Sequence, residues 1–321
     1  MRASRALALA GSHRLCGVSI TWQVVVAEHD RRNFSRMSAT PSTRTFGDEL
    51  RHWRARRRVS QLALALETGI SQRHLSFVES GRASPSREMV QRLAEQLSIP
   101  LRDQNRLLMA AGFAPRFPER TLDDPALGTV RRTIDLVLRA HEPYPAFAID
   151  RHWTVVAMNA ATRPLLDGVA PELLAPPMNA MRIALHPAGL APHIVNYNEW
   201  RVQLFRRLDA RRSATDDPIL EALHDELQRY PASEHARRMG RTEDVSDGVF
   251  TPLVLSLNGQ AVSLLTTSTV FVTAEDITLS ELALECFYPG DETSAVILRA
   301  RFDAREVNDD ESRTRTQGSR E

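Results

Sequence analysis

The sequence predicts two folds in series, an all-α domain of five helices over residues 46–112 and an α+β domain over residues 127–302. Three observations carry this expectation. Before residue 112, apolar residues recur every three or four positions in five short segments, each bounded by serine, glycine or proline. Pro115, Pro118 and the run Asp123-Asp124-Pro125 then interrupt all periodicity and mark a linker over 113–126. Beyond the linker, short strand-like runs and an Asn258-Gly259 turn signal alternate with helical patterns.

The first helix is expected over 46–57, with Phe46, Leu50 and Trp53 on one side. Ser60 has the chemistry of an N-cap, and Leu62, Leu64, Ala65 and Leu66 are expected to form the buried face of the second helix. Ala65 is the small residue expected where two helices cross, and Gly69 supplies the positive φ that a tight reversal requires. Ser71 caps the third helix. Leu75 and Val78 return to the core, which leaves Gln72, Arg73, Ser76 and Phe77 facing outward. The fourth helix follows Ser86, carries Met89, Val90, Leu93, Ala94 and Leu97, and stops before Pro100; the fifth spans 101–111 and ends at Gly112.

Two short helices across a tight turn form a helix-turn-helix, which points to double-stranded DNA. Arginine pairs bidentately with guanine and glutamine with adenine, so Gln72, Arg73, Ser76 and Phe77 are the candidate base contacts. Phe77 either touches a thymine methyl or tucks into the domain's own core. Gln61, Ser71, Ser80 and Arg82 flank the third helix where phosphate contacts position such a domain. From Arg44 to Arg92 arginines outnumber acids by about two to one, and the cluster Arg54, Arg56, Arg57 and Arg58 has the footprint of a phosphate-binding surface.

In the second domain a helix is expected over 129–140, then strands over 146–149 and 154–157 joined through Asp150-Arg151-His152-Trp153. Helical patterns follow over 178–185, 199–210 and 218–230. Strands are expected over 253–257, 261–266 and 269–273, a helix over 279–285, and a last periodic segment over 295–302. A hairpin, then helices, then an antiparallel meander describe a sheet with helices on one face, the layout of PAS-like sensor domains.

Bulk properties narrow the function. The chain has 321 residues, 42% hydrophobic and 25% charged, as an ordinary globular protein has. No run approaches the roughly 18 apolar residues of a membrane span, so a cytoplasmic protein without a membrane partner is expected. The net charge of +1 excludes a general nucleic-acid coat protein, and all 41 basic residues are arginine, which reads as codon bias. Only Cys16 and Cys286 are present, which excludes a disulfide framework, and Cys286 sits in an apolar context suited to packing. His186 and His193 are separated by Pro187, Gly189 and Pro192, which forbid a continuous helix, so no metal site is expected. No nucleophile elbow or phosphate loop occurs, so neither catalytic residues nor a cofactor are expected. Residues 1–45 lack periodicity and read as a disordered extension, with Met37 as the expected start of translation; residues 303–321 read as a disordered tail.

The stretch from Ser71 to Gly81, the following Arg82-Ala83-Ser84-Pro85-Ser86-Arg87-Glu88 and then Leu107-Leu108-Met109-Ala110-Ala111-Gly112-Phe113-Ala114-Pro115 resemble Xre-type regulators that carry a MmyB-like (MltR-type) ligand-binding domain. The resemblance extends over 46–302 and implies a lambda-repressor-like first domain and a PAS-like second one. Met178 to Pro187 and Asn196 to Arg201 follow the family's pattern best. It further implies an elongated apolar effector such as a fatty acid; a homodimer, whose two recognition helices would stand roughly 34 Å apart, is expected on a pseudo-palindromic operator. Aromatic and methionine side chains with interspersed asparagines suit an apolar pocket with a few polar anchors, for which Trp153, Asn159, Met181, Leu185, Trp200 and Phe271 are the candidates. Two other readings stay open: a PAS-like module holding haem or flavin, and a regulator controlled by a protein partner.

Overall fold

Every helix start in the first domain has a local chemical cause, and the computed structural model, which describes residues 44–231, 251–271 and 274–304, shows most of them directly. Helix α1 (Phe46–Arg56) opens on a capping box between Thr45 and Asp48. Ser60 accepts from the Ala63 N–H at 3.0 Å to start α2 (Gln61–Thr68), and Ser71 accepts from His74 at 3.2 Å to start α3 (Gln72–Glu79). Ser86 does the same for α4 (Arg87–Gln96), and α5 (Leu101–Ala110) follows Pro100. Gly69 holds φ 68° at the turn between α2 and α3, as the helix-turn-helix geometry requires. Leu50, Trp53, Leu64, Leu75, Leu93 and Leu107 form a common core.

One face differs from expectation. Leu64, Ala65 and Thr68 are the buried side of α2, whereas Leu62 and Leu66 are 51% and 74% exposed. A helix this rich in leucine has apolar residues on both sides, and only packing against α3 and α4 decides which side is covered. The sequence also gave no sign that Gly47 is a second close-approach point. A Cβ built there would lie 2.3 Å from the Glu79 carbonyl oxygen, so α1 and α3 touch backbone to backbone.

The second domain begins with α6 (Gly128–His141), followed by β1 (Ala146–Ile149) and β2 (Val155–Met158). A 3-10 segment Ala160–Leu166 and the helices α7 (Pro171–Leu174), α8 (Ala180–Leu185), α9 (Tyr197–Ala214) and α10 (Pro218–Gln228) come next. Strands β3 (Leu253–Leu257) and β4 (Gln260–Val270) flank the turn at Asn258 and Gly259, both at positive φ. Helix α11 (Ile277–Glu281), β5 (Ala283–Pro289) and a last helix α12 over 292–304 complete the domain. The five strands are antiparallel in the order β2-β1-β5-β4-β3, the expected α+β, PAS-like sheet.

Two expectations are corrected. The strands expected over 261–266 and 269–273 are one strand, β4, as far as Val270, and residues 272–273 lie outside the described residues. The helix expected over 279–285 ends at Glu281, and Ala283 to Glu285 belong to β5. Leu, Ala and Glu favour a helix locally, but this segment pairs with β1 on one side and β4 on the other, and the two ladders override propensity. The expected extension over 1–45 lies outside the described residues except for Arg44 and Thr45, and the expected tail does so from residue 305; Asp303 and Ala304 end α12. Among the described residues no helix is long and apolar enough to cross a membrane.

The sheet separates two apolar layers. One face packs Ile134 and Leu138 of α6 with Ala146 and Leu282; the other packs α8, α9 and α10 against Leu253, Leu255, Val262, Leu264 and Phe287.

Candidate nucleic-acid interface and interior cavity

Helix α3 presents a polar outer surface because its apolar positions are spent inward. Leu75 and Val78 are buried, Gln72 and Arg73 are exposed, and Ser76 and Phe77 are half-buried. Two guanidinium groups lie over the Phe77 ring, Arg73 at 5.4 Å and Arg82 at 5.1 Å from its centroid. Such cation–π contacts restrict long side chains, so Phe77 acts as a platform that orders both arginines. Arg82 also donates from Nε to the Ser80 hydroxyl at 3.1 Å, and that hydroxyl donates to the Phe77 carbonyl at 3.2 Å. Ser71 is exposed with its oxygen engaged in capping. Gln61 is half-buried, and its amide donates to Glu79 at 3.1 Å.

Glu79 closes the inner end of α3. It is 5% exposed and accepts two hydrogen bonds from Arg54, at 2.7 and 3.0 Å, besides the one from Gln61. Arg51 donates to its carbonyl at 2.7 Å. The recognition helix is thereby tied to α1 and α2 by charge-assisted bonds as well as by packing.

The arginine cluster at the end of α1 is used differently from the phosphate-binding surface expected of it. Arg54 is committed to Glu79, and Arg56 and Arg57 reach into the second domain. Arg56 donates to the carbonyls of Arg212, Ser213 and Thr215, and Arg57 to those of Ser213 and Ala214. Those carbonyls belong to the C-terminal end of α9, where helix geometry leaves them without intrahelical partners and the helix dipole favours cations. Of the four, Arg58 alone is classed as exposed. Asp216, between α9 and α10, pairs with Arg44 at 3.0 Å, and a second bridge runs from Arg102 on α5 to Glu281 on α11, at 2.8 and 2.9 Å.

Above the sheet lies an apolar cavity of about 90 Å³. Its walls come from β1, β2, α8, α9, β3, β4 and β5, and they include Trp153, Met181 and Trp200, three of the candidate pocket residues. The other three lie elsewhere. Asn159 is a buried structural residue: Oδ1 accepts from Ala146 and Thr162, and Nδ2 donates to the carbonyls of Leu138 and Tyr144. Leu185 is fully buried without reaching the cavity wall, and Phe271 packs on the opposite face of the sheet with α6. Composition identifies apolar residues but neither the side of the sheet they occupy, which decides Phe271, nor whether they face the cavity or the solid core beside it, which decides Leu185.

Sequence reasoning missed Arg207 and Glu285, the two charged residues on the wall. A signal existed for Arg207: Trp200, Leu204, Arg207 and Arg211 are spaced four, three and four apart, so the guanidinium groups continue an apolar stripe of α9. Arg207 and Arg211 lie over the Trp153 ring at 4.9 and 5.5 Å. Burial lowers the pKa of Arg211, against the opposing pull of Glu285 and Asp150. Trp153 itself has φ 66°, an uncommon conformation for a bulky residue, fixed by Asp150, whose carboxylate accepts from the backbone of His152 and Thr154 at 2.8 Å each.

The family model described as the MmyB-like transcription regulator ligand binding domain matches residues 130–300, and a helix-turn-helix model matches residues 50–104. No curated protein matches the chain.

Proposed function

We propose, for a chain that belongs to the MmyB-like transcription regulators, that an apolar effector held in the cavity changes operator binding through α9. The families matched are those of DNA-binding transcription regulators with a ligand-sensing domain. The observation that carries the finer reading is the double role of α9: Trp200, Leu204 and Arg207 line the cavity, and the same helix ends on Arg56 and Arg57 of α1. A helix of 18 residues moves as a rigid rod, so a side chain displaced at its cavity face is felt at its end. The effector shifts the DNA-binding equilibrium by its differential affinity for the two arrangements and by no more.

An apolar, fatty-acid-like effector is supported by walls that are almost wholly hydrocarbon, with Met158, Met178 and Met181 able to repack around a chain larger than the resting volume. Among the described residues no histidine or cysteine lines the cavity to ligate a haem iron, which favours this reading over the haem alternative. Base contacts by Gln72, Arg73, Ser76 and Phe77, and phosphate contacts by Gln61, Ser71, Ser80 and Arg82, belong to the same proposal, supported by their place on and beside the outer face of α3. So do a homodimer, a pseudo-palindromic operator and a cytoplasmic location.

Selection of bound sites from random duplex DNA tests the first half. The expected outcome is two inverted half-sites about 34 Å apart; a single half-site or no enrichment refutes it. Native mass spectrometry of the full chain tests the second, and an adduct of a few hundred daltons lost on denaturation is expected. Failure of every aliphatic compound to bind would favour control by a protein partner.

A further inference from the structure

The two edges of the sheet flank the cavity and are closed differently. At the β3 edge residues 194–196 continue the sheet: Ile194 bridges to Leu255, and Val195 donates to the Val254 carbonyl at 2.8 Å. The Asn196 side chain adds two bonds, accepting from the Val254 N–H at 3.0 Å and donating to the Pro252 carbonyl at 2.8 Å. At the β2 edge the same kind of pairing begins and then stops. Thr154 bridges to Asn179, the Ala180 N–H donates to the Trp153 carbonyl at 2.9 Å, and Val155 donates to the Met178 carbonyl at 2.8 Å. Continued antiparallel, this register would set Pro177 and Pro176 opposite Val156 and Ala157. Proline has no N–H to give a ladder, and among the described residues no backbone bond links 171–177 to 156–158.

The side chains of the wall follow the same division. Over the middle strands Arg207 is held by charge, donating to Glu285 and, at 2.6 Å, to Ser268. Beside the unpaired end of β2 the wall is Met158 and Met178, both half-buried, with Val155, Leu166 and Ala184 half-buried around them; Met181, deeper in the same wall, is fully buried. The resting volume of about 90 Å³ is smaller than the roughly 150 Å³ that holds one benzene molecule, so an aliphatic effector has to displace part of the wall. Opening the Arg207 corner breaks charge-assisted hydrogen bonds, whereas turning an unbranched thioether side chain breaks none. We propose that the hydrocarbon chain of the effector enters beside β2, between Met158 and Met178, and that these two side chains govern access and let chains longer than the resting cavity be accepted. This rests on the ligand-cavity reading above and adds its route.

Stopped-flow mixing of the full chain with decanoate or with decan-1-ol tests the route, read through tryptophan fluorescence because Trp153 and Trp200 line the cavity. Met158→Ala and Met178→Ala are each expected to raise the association rate about threefold or more, and the bulkier, stiffer Met178→Phe to lower it by a similar factor. Met181→Ala is the control: it removes the same atoms from the wall away from the gap, so it should alter the dissociation constant and leave the association rate within about twofold. Equal acceleration by all three alanine variants would make cavity volume the determinant and overturn the proposal, as would unchanged rates in the Met158 and Met178 variants. Tetradecanoate is expected to bind the unaltered protein at least as tightly as decanoate, its surplus carbons lying in the gap; a sharp loss would mark a closed cavity and also overturn the proposal. If one of the gap variants does not fold, the others decide. Failure of both ten-carbon probes to bind overturns the cavity reading itself, an outcome distinct from binding at a rate indifferent to Met158 and Met178.

Discussion

Gly47→Ala is the substitution for which local propensity and tertiary packing make opposite predictions. Within α1 an alanine is favoured over glycine by about 0.5–1 kcal/mol, because it restricts the unfolded chain and exposes less backbone. Against this, the new Cβ would sit 2.3 Å from the Glu79 carbonyl oxygen, 2.8 Å from its carbon and 3.0 Å from the Val78 carbonyl oxygen. Even a close carbon–oxygen contact needs about 3.3 Å, so α1 and α3 must separate by about 1 Å. No flexible side-chain end is available to yield, and the movement strains the packing of Phe46, Leu50 and Trp53 on Leu75 and Val78. It also strains the Arg51 bond to the Glu79 carbonyl. Overpacking of this kind costs about 1–3 kcal/mol, at the upper end when backbone must move. The net expectation is a loss of about 2 kcal/mol. Hydrogen exchange of the full chain, read on peptides covering α1 and α3, should show protection lowered by about thirtyfold. Gly69→Ala is the control: φ is +68° there but no atom lies within 4 Å, so a cost of about 1 kcal/mol is expected without displacement of α3. Protection in α1 and α3 that is unchanged or increased in Gly47→Ala would refute the reasoning.

Other outcomes follow from the same contacts. Arg73→Ala should cost about 1–3 kcal/mol of operator affinity and relax preference at one base position in a binding-site selection, whereas a uniform loss over unrelated sequences would make Arg73 a phosphate contact. Phe77→Ala removes the platform under Arg73 and Arg82, and DNA titrations should show weaker binding at unchanged far-ultraviolet circular dichroism. Replacing both Arg56 and Arg57 by alanine should leave binding of an aliphatic effector to the cavity intact while reducing its effect on the affinity for a selected duplex; an undiminished effect would rule out the α9 route. Asp103, buried beside Arg106, has its carboxyl pushed up to about 6, chiefly by desolvation. The folded state therefore holds its proton more tightly than the unfolded chain, and stability contributed by this group falls as pH rises from about 4 to about 6. Asp103→Asn should thus gain about 1–3 kcal/mol on the wild type between pH 4 and pH 7 in urea unfolding; a difference independent of pH would contradict the assignment.

The sequence by itself determined the helix-turn-helix almost completely, because its signals are local. Ser60, Ser71 and Ser86 cap helices within three residues of themselves, and Gly69 turns the chain through its own φ angle. The β3–β4 turn at Asn258 and Gly259 was legible for the same reason. The tertiary structure alone decided what depends on distant neighbours. Whether Leu62 or Leu64 is covered, whether residues 283–285 are helix or strand, and which face of the sheet receives Phe271 are set by partners remote in sequence. The arginine cluster makes the point most directly. Its charge is visible in the chain, but an arginine can bond to a phosphate, a carboxylate or a free helix carbonyl, and the fold supplied Glu79 and the end of α9. The contacts of Arg207 were hidden likewise, since Trp153, Arg207 and Glu285 are far apart in sequence and meet only when α9 lies across the strands.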